Sequence, residues 1–157
     1  MLVHASCAAR AGHAVLLLGP PGAGKSDLLL RLLDAGWDLV ADDQVQLAAA
    51  GAGVLASPPP ALAGMLEARG LGLLSGLPWQ SRVPVALALR LVPREALHRL
   101  PAPAVERFGR HAVPAVALCP WDASAVAKAR LALDVALGVW LWQRHRAARA
   151  LEPAEDG

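Results

Sequence analysis

The sequence predicts an α/β fold with a mixed β-sheet and a long C-terminal helix. Apolar runs of strand length alternate with helical patterns, and two of the runs flank a short glycine-containing turn. A helical pattern then occupies residues 123 to about 150. Alternating strands and helices are typical of α/β folds, and a hairpin adds antiparallel strands to the sheet. The length of 157 residues suits a single domain, residues 1–157, with its core at about residues 2–135.

The elements of the N-terminal part follow from local patterns. Strands are expected at residues 3–8, 14–18 and 37–41. Between the second and third of these, leucines at helical spacing predict a helix over residues 26–35, and Gly36 is its expected C-cap. Residues 45–48 and 54–56 flank the turn sequence AAGAG and predict a hairpin.

The middle of the chain is punctuated by proline and glycine. The segment SPPPALAGMLEARGLGLL, residues 57–74, is expected to hold a turn, a short helix and a loop interrupted by glycines. Residues 83–92 and 113–119 are apolar runs that predict buried strands. The connection between them contains several prolines and is expected to form no more than a short helical turn.

Composition excludes several classes of protein. Hydrophobic residues make up 55% of the chain, yet a membrane span needs roughly 20 consecutive apolar residues. The nearest candidate, residues 131–142, is shorter and carries Asp134. The N-terminus lacks the pattern of a signal peptide, so we expect a soluble, cytoplasmic protein without membrane contact. Cys7 and Cys119 stand far apart in apolar surroundings, as is typical of buried thiols in a reducing compartment.

The charge distribution gives no support for nucleic-acid binding. The net charge is only +2, from 15 basic and 13 acidic residues. A nucleic-acid interface would need a basic run or patch, commonly with interleaved aromatic residues, and no such run occurs. We therefore expect no nucleic-acid partner.

The segment GPPGAGKS carries the clearest chemistry. It matches the pattern G-x-x-x-x-G-K-[ST] at each required position, after an apolar strand and before a helix. Glycines let backbone N–H groups converge on phosphate oxygens, while Lys25 can reach the β- and γ-phosphates and the Ser26 hydroxyl can ligate Mg²⁺. We therefore predict that the chain binds ATP with Mg²⁺. The predicted nucleotide-binding residues are Gly19, Pro20, Pro21, Gly22, Ala23, Gly24, Lys25, Ser26 and Asp27.

The segment GPPGAGKS is called the P-loop below. Two adjacent carboxylates, Asp42 and Asp43, end the strand that follows the helix after it. Strands that neighbour the P-loop strand in a parallel sheet deliver their C-terminal ends to the same edge. We therefore expect the doublet beside the γ-phosphate, where one carboxylate can take a proton from an attacking hydroxyl. The other can influence the affinity for metal or proton. Because Asp-Asp turns are also common at strand ends, the P-loop nearby is what favours this function.

These residues, together with others, resemble the catalytic domain of the HPr kinase/phosphorylase family. The matching features are VH near the start, GPPGAGKSD, RLLDAGWDLVADDQV and LEARGLGLL. The resemblance covers residues 2 to about 133 and includes a P-loop, an early Asp pair and the pattern E-x-R-G-L-G. It implies a P-loop-containing kinase domain of the truncated form found in some proteobacteria, without the N-terminal domain of the longer members.

The resemblance implies an activity and further site residues. The family consists of ATP-dependent kinases that phosphorylate a serine of HPr, a phosphocarrier of the sugar phosphotransferase system, and many of them also remove that phosphate. Its members are oligomeric. The Asp doublet would supply the general base, with the choice between Asp42 and Asp43 left open. Glu67 would associate with Mg²⁺, together with Ser26. His4 would relay or stabilise a proton near the catalytic aspartate, and Arg99 would neutralise phosphoryl charge.

The sequence also departs from the family pattern. Ala5 follows the histidine where the long members usually have glycine, and the loop SGLPWQSR is shorter than theirs. The later loop linked to phosphate removal has no counterpart, since CPWDASAVAKAR stands in its place. These departures favour kinase activity over phosphorylase activity.

Two other functions stay open at this point. A small-metabolite kinase would usually carry an Arg-rich lid that closes over the phosphates, and no such stretch is seen in the sequence. A non-catalytic nucleotide-binding module would keep the P-loop but would have no need of Asp42, Asp43 and Glu67 together. A protein substrate suits a domain without a lid, because the docked partner can itself exclude water.

Overall fold

The computed structural model describes residues 1–139. The strands are β1 (Leu2–His4), β2 (Ser6–Arg10), β3 (His13–Leu18), β4 (Asp38–Ala41), β5 (Gln44–Ala50), β6 (Gly53–Ser57), β7 (Leu66–Ala68), β8 (Gly72–Leu74), β9 (Val83–Leu91), β10 (Ala104–Phe108) and β11 (His111–Leu118). The helices are α1 (Lys25–Asp34) and α2 (Ala125–Ala136), with short 3-10 turns at Pro60–Leu62 and Arg94–Ala96.

The sheet is mixed, as the sequence predicts. Strand β9 pairs in parallel with β3 on one side and with β11 on the other. On the side of β11, the first residues of β9 pair antiparallel with β6. Beyond β3 the order continues through β2 to β4, and both of these pairings are antiparallel. Strands β3, β4, β9 and β11 therefore run in the same direction, and their C-terminal ends lie at one edge of the sheet.

The strand that carries the Asp doublet is not the neighbour of the strand before the glycine-rich loop. The expected single strand at residues 3–8 is instead broken at the buried Ala5 into β1 and β2. Strand β2 then takes the place between β3 and β4. Since two antiparallel pairings restore the original direction, β4 still delivers its C-terminal end to the expected edge.

The glycine-interrupted segment and the proline-rich connection both contain strands that the sequence patterns did not predict. Strands β7 and β8 form an antiparallel hairpin, so Glu67 lies on a strand and the expected short helix is limited to the turn at Pro60–Leu62. Strand β10, in the connection expected to hold only a helical turn, pairs antiparallel with β11.

Apolar side chains pack on both faces of the sheet. Helices α1 and α2 cover one face, where Leu28, Leu32 and Leu133 pack with alternate residues of the strands such as Val15 and Leu17. The intervening residues of the same strands pack on the other face, in a cluster that includes Ala14, Leu16, Val45, Val54, Val113 and Phe108. Because both faces are buried, the central strands read as continuous apolar runs in the sequence.

The ends of the two helices differ in how well the sequence predicts them. Gly36 follows the Ala35 cap of α1 with φ +95°, and the N–H groups of Gly36 and Trp37 donate to the carbonyls of Leu33 and Leu32. This is a Schellman motif, which confirms the expected glycine stop. By contrast, α2 ends at Ala136, before Gly138 at φ +81°, so the expected continuous helix from residue 123 is interrupted there. Its expected extension to about residue 150 lies outside the described residues.

In residues 1–139, no helix has both the length and the apolar character needed to cross a membrane.

Candidate active site

The glycine-rich loop lies between the end of β3 at Leu18 and the start of α1 at Lys25. Gly22 and Gly24 have φ values of +80° and +101°, a conformation that side-chain-bearing residues rarely adopt. At Gly19 space is the constraint, since a Cβ would lie 2.8 Å from the Cβ of Ala23. The loop therefore curls back over the N-terminus of α1, in the strand–loop–helix context that the sequence predicts.

Lys25 folds back onto the loop that precedes it. Its Nζ donates hydrogen bonds to the carbonyl oxygens of Gly19, at 2.5 Å, and Pro20, at 3.1 Å. The ammonium group is thus held at the loop by two neutral acceptors, and it faces the adjoining cavity. A phosphate oxygen arriving there would offer a charged acceptor in place of a carbonyl, and charge-assisted hydrogen bonds are the stronger kind.

Asp42 joins three elements through its buried carboxylate. Oδ1 accepts hydrogen bonds from the hydroxyls of Ser26, at 2.8 Å, and Ser6, at 2.9 Å. Oδ2 accepts the backbone N–H of Glu67 at 3.1 Å. These bonds connect the end of β4 to α1, β2 and β7. The carboxylate is therefore fixed in position directly beside the serine of the glycine-rich loop.

Asp43 is presented to the cavity by an unusual backbone turn. The N–H of Gln44 donates to the carbonyl of Asp42 at 2.8 Å, which makes Asp43, at φ +67°, the central residue of a γ-turn. The γ-turn of positive φ is rare and strained. The turn is anchored from the neighbouring strand, because the N–H of Ala5 donates to the Asp43 carbonyl at 3.1 Å. Unlike Asp42, Asp43 is exposed and lines the cavity.

The β7–β8 hairpin supplies the wall of the cavity next to the Asp doublet. Leu66 and Ala68 are buried, so the side chain between them, Glu67, is exposed on the opposite side of the strand. Arg69 follows and is also exposed. Glu67, Ala68 and Arg69 all line the cavity. The motif E-A-R-G therefore brings one acidic and one basic side chain to the site, and only the acidic one was assigned from the sequence.

The cavity bounded by these elements has a volume of about 490 Å³, within the usual range for small-molecule sites. It is lined by Pro21, Gly22, Gly24, Lys25, Ser26, Asp27, Leu30, Asp43, Glu67, Ala68, Arg69 and Trp121. Most of the predicted nucleotide-binding residues therefore meet two predicted acidic site residues in one cavity. Asp42 lies behind this wall, in contact through Ser26.

His4 and Arg99 lie outside the cavity lining. His4 is exposed on β1, opposite Gln44 of β5, and is the residue before the Ala5 that bonds to Asp43. His4 is therefore next in sequence to the residue that anchors the turn at Asp43. Arg99 is exposed in the irregular segment between the 3-10 turn at Arg94–Ala96 and β10. The structure does not bring Arg99 to the other predicted site residues, so its role stays a prediction.

Trp121 reaches the site from a distant part of the sequence and could not be assigned from it. It follows β11 and is 60% exposed, although it lines the cavity. The indole edge packs against the glycine-rich loop, since a Cβ on Gly24 would lie 3.0 Å from its Cζ2. The signal in the sequence was only a tryptophan in a loop after a predicted strand. Its partner, Gly24, stands almost 100 positions earlier.

The loop that carries Trp121 is fixed on both sides. Arg31 of α1 donates from its guanidinium to the carbonyl of Pro120. Asp122 accepts hydrogen bonds from Arg94 and lies 3.6 Å from the Nζ of Lys128. The Arg94 hydrogen bond lowers the pKa of Asp122, against the opposing effect of burial, and the same bond raises the pKa of Arg94. The loop is thus tied to α1, to α2 and to the segment after β9.

Ser6 is a second site residue that the sequence pattern does not predict. Its side chain is fully buried, donates to Asp42 and accepts the N–H of Asp43 at the longer distance of 3.4 Å. The available signal was a serine inside an otherwise apolar strand, because a buried hydroxyl needs a partner. The pattern alone did not say that both members of the Asp doublet are that partner.

The residues present fit a magnesium ion, although the described part of the chain holds no preformed cage. Within residues 1–139, no group of three or more His, Cys, Asp or Glu side chains converges as a metal site. Mg²⁺ commonly takes one or two protein ligands and completes its shell with phosphate oxygens and water. The adjacent Ser26 hydroxyl and Asp42 carboxylate, with Glu67 close by, are oxygen donors of this kind.

Comparison with known proteins agrees with this geometry. Residues 1–77 match the family model for the HPr Serine kinase C-terminal domain. This part of the chain is therefore similar in sequence to that family. The match spans the glycine-rich loop, the Asp doublet and the E-A-R-G-L-G motif, and it confirms the resemblance seen in the sequence.

Curated relatives and a solved structure extend the comparison. The chain is 39% identical over 100 residues to the HPr kinase/phosphorylase of Bordetella petrii. The aligned residues make up 63% of this chain and 32% of that protein. The chain is 46% identical over 65 residues to the Nitrosomonas europaea enzyme of the same name, covering 41% of this chain and 20% of the relative. The aligned part thus spans about a third or less of these relatives. The structure of the Hpr(Ser) kinase/phosphatase from Coxiella burnetii has the same fold, with a TM-score of 0.77 at 23% identity, covering 97% of this chain and 98% of that chain.

Proposed function

We propose that this chain is a serine kinase that transfers the γ-phosphate of ATP, with Mg²⁺, to a serine of an HPr-like phosphocarrier protein. One observation carries the proposal: a buried carboxylate bonded to the loop serine and an exposed carboxylate facing the same cavity stand at adjacent positions. Phosphoryl transfer needs a metal-binding group and a proton acceptor close to the same phosphate. The doublet and the glycine-rich loop supply both in one place.

The two aspartates divide these roles. Asp42, whose Oδ1 already accepts the Ser26 and Ser6 hydroxyls, has little capacity left to accept a proton from a substrate. Its hydrogen bond with Ser26 would instead orient that hydroxyl, so that Ser26 and Glu67 could hold Mg²⁺, which when bound neutralises phosphate charge. Asp43 is exposed in the cavity and carries no side-chain hydrogen bond among those described for residues 1–139. Asp43 is therefore the general base.

The transfer step follows from these positions. Asp43 accepts the proton of the substrate serine as its oxygen forms the new bond to the γ-phosphorus, and the bond from that phosphorus to the bridging β-phosphate oxygen breaks, which leaves ADP. Lys25 stays with the β- and γ-phosphates during the step. Arg69, which lines the cavity, neutralises charge on the transferred group, the role that the resemblance gave to Arg99. His4 would act through its neighbour Ala5, whose N–H donates to the Asp43 carbonyl.

A protein substrate suits the surface around the cavity better than a small metabolite. The rim beside Glu67 and Arg69 is the β7–β8 hairpin, on which Leu71 is 76% exposed and Leu73 is 64% exposed. Exposed leucines on a short hairpin are typical of contact surfaces. Burial of these side chains against a partner removes apolar surface from water, which favours binding. A docked carrier protein would cover both the hairpin and the mouth of the cavity.

The departures from the family pattern favour the kinase direction over phosphate removal.

The direct test is transfer of labelled phosphate. The full chain is incubated with γ-labelled ATP, Mg²⁺ and purified HPr, and the label is located by mass spectrometry. We expect label on one serine of HPr, none on HPr with that serine changed to alanine, and none with the Lys25→Ala variant. An Arg110→Ala variant, changed on the exposed β10–β11 turn, serves as the matched control and should keep activity. Unlabelled HPr with full ATP binding would contradict the kinase and favour the nucleotide-binding module. ATP turnover without label on HPr would favour a small-metabolite kinase.

A further inference from the structure

We propose that Trp121 forms a stacking subsite for the nucleobase of the bound triphosphate. The proposal rests on the proposed ATP site and adds to it the part of the cavity that holds the nucleoside. In the sequence Trp121 belongs to CPWDASAVAKAR, a segment to which neither the motifs nor the family pattern assigns a function. The structure places it in the cavity wall.

The sheet order separates the two ends of the cavity. Strands β11, β9, β3, β2 and β4 are neighbours in this order, and β11, β3 and β4 point their C-terminal ends to the same edge. The glycine-rich loop follows the middle strand, the Asp doublet lies two strands to one side and Trp121 two strands to the other. Two strand spacings are about 10 Å. The transferred phosphate belongs at the Asp43 end, so the nucleoside extends toward Trp121.

The indole is exposed, and the loop that carries it is anchored. It is 60% exposed, its edge packs on Gly24, and the residues on either side of it are tied by Arg31 and Arg94. A large apolar side chain kept in water on an anchored loop gains nothing for the fold. Leu30, 38% exposed one helical turn after Ser26, adds a second apolar surface to the same cavity. A flat, partly apolar ligand fits this pair, and a base stacks on an aromatic side chain through its π-face.

The experiment compares a ligand with a base and a ligand without one. Titration calorimetry of the full chain measures binding of Mg²⁺·ATP and of Mg²⁺·tripolyphosphate. In Trp121→Ala we expect ATP to bind about 5- to 150-fold more weakly, which corresponds to the loss of one base–aromatic stack, while tripolyphosphate affinity stays unchanged. Trp121→Phe should keep most of the ATP affinity because it restores an aromatic face. Leu100→Ala, an exposed apolar side chain outside the cavity lining, is the control.

Fluorescence provides a second readout. ATP should quench part of the tryptophan emission of the wild type, tripolyphosphate should not, and Trp121→Phe should lose the quenching. Unchanged ATP affinity in Trp121→Ala would overturn the proposal. A parallel fall for both ligands would also overturn it, since Trp121 would then act only by supporting the glycine-rich loop. If the wild type binds neither ligand, the proposed ATP site itself fails, and this outcome differs from both of the others.

Discussion

Ser26 and Asp42 are joined by a hydrogen bond of 2.8 Å between the serine Oγ and the carboxylate Oδ1, across 16 positions of sequence. The bond connects the first turn of α1 to the end of β4, and it makes the glycine-rich loop and the Asp doublet one structural unit. A change at either position therefore affects the other. The two aspartates differ in this respect, because only Asp42 accepts the hydrogen bond from Ser26.

The first prediction concerns the two aspartates. Asp43→Asn removes the proton acceptor and keeps the shape, so transfer to HPr should fall by at least about a hundredfold while Mg²⁺·ATP affinity changes little. Asp42→Asn should instead weaken Mg²⁺-dependent ATP binding, because it removes charge beside Ser26. Calorimetry and label transfer on both variants distinguish the roles. If both variants lose ATP binding in parallel with activity, the doublet is a metal site and the base lies elsewhere, with His4 the next residue to change.

The second prediction concerns Ser6. Ser6→Ala removes a buried donor to a carboxylate, a kind of hydrogen bond worth about 1.5–3 kcal/mol, and we expect the free energy of unfolding to fall by about that amount. Activity should fall as well, because Asp42 loses one of the groups that position it. Urea unfolding monitored by circular dichroism gives the stability. The control is Ser81→Ala, at an exposed position, and an equal loss in both variants would contradict the role of Ser6.

The third prediction compares two arginines. Arg69 lines the cavity and Arg99 does not, so Arg69→Ala should lower the rate of transfer at least tenfold, whereas Arg99→Ala should leave it nearly unchanged. The measurement is kcat for phosphorylation of HPr at saturating ATP. The reverse result would return the charge-neutralising role to Arg99 and would require the segment that carries it to move to the site when HPr binds.

The fourth prediction is a pH dependence of stability. Arg94 lowers the pKa of Asp122 below its ordinary value of 3.8, so the pair stabilises the fold fully above that pH. The stabilisation is lost as the pH falls through the lower pKa of the folded state. Asp122→Asn should therefore reduce Tm at pH 6, and its difference from the wild type should shrink below about pH 3.8. Asp34→Asn, exposed at the end of α1, is the control. A difference in Tm that does not change with pH would contradict the ion pair.

The fifth prediction is homo-oligomerisation. The outer side of α2 exposes Leu131 at 46%, and Leu137 and Val139 follow at 37% and 60%. Exposed apolar side chains are common at subunit contacts, because association removes them from water. Light scattering at high micromolar concentration should give a multiple of the chain mass, and Leu131→Lys should reduce it. A monomer under these conditions would count against the prediction.

Local patterns in the sequence are sufficient for the central part of the fold. The apolar run before GPPGAGKS predicts β3, and the leucines after it predict α1. Gly36 predicts the end of that helix, where the Schellman motif is found. The strand to Ala41 also ends where its pattern ends, which places the Asp doublet at a strand terminus. These elements bring six of the nine predicted nucleotide-binding residues, together with Asp43, into one cavity.

The remaining features depend on contacts between distant segments. No local pattern says that Ala5 divides a strand so that β2 enters between β3 and β4, or that Trp121 meets Gly24. The sequence predicts a short helix near the E-A-R-G-L-G motif because the two glycines of the motif obscure the alternation of Leu66, Glu67 and Ala68. The sequence also leaves open the roles that we propose for Asp42 and Asp43, because these depend on which of the two Ser26 and Ser6 contact.

The γ-turn at Asp43 has a consequence for how this position evolves. A backbone with φ +67° suits glycine, which adopts positive φ at no steric cost, whereas aspartate there retains strain. Glycine would relax the turn but would also delete the carboxylate that faces the cavity. With Asp43 as the proposed general base, selection for a more stable fold and selection for phosphoryl transfer favour different residues at this position. On that proposal, relatives that keep the fold but have lost the transfer activity should show glycine or asparagine here, and the residue at position 43 would indicate whether the activity is retained.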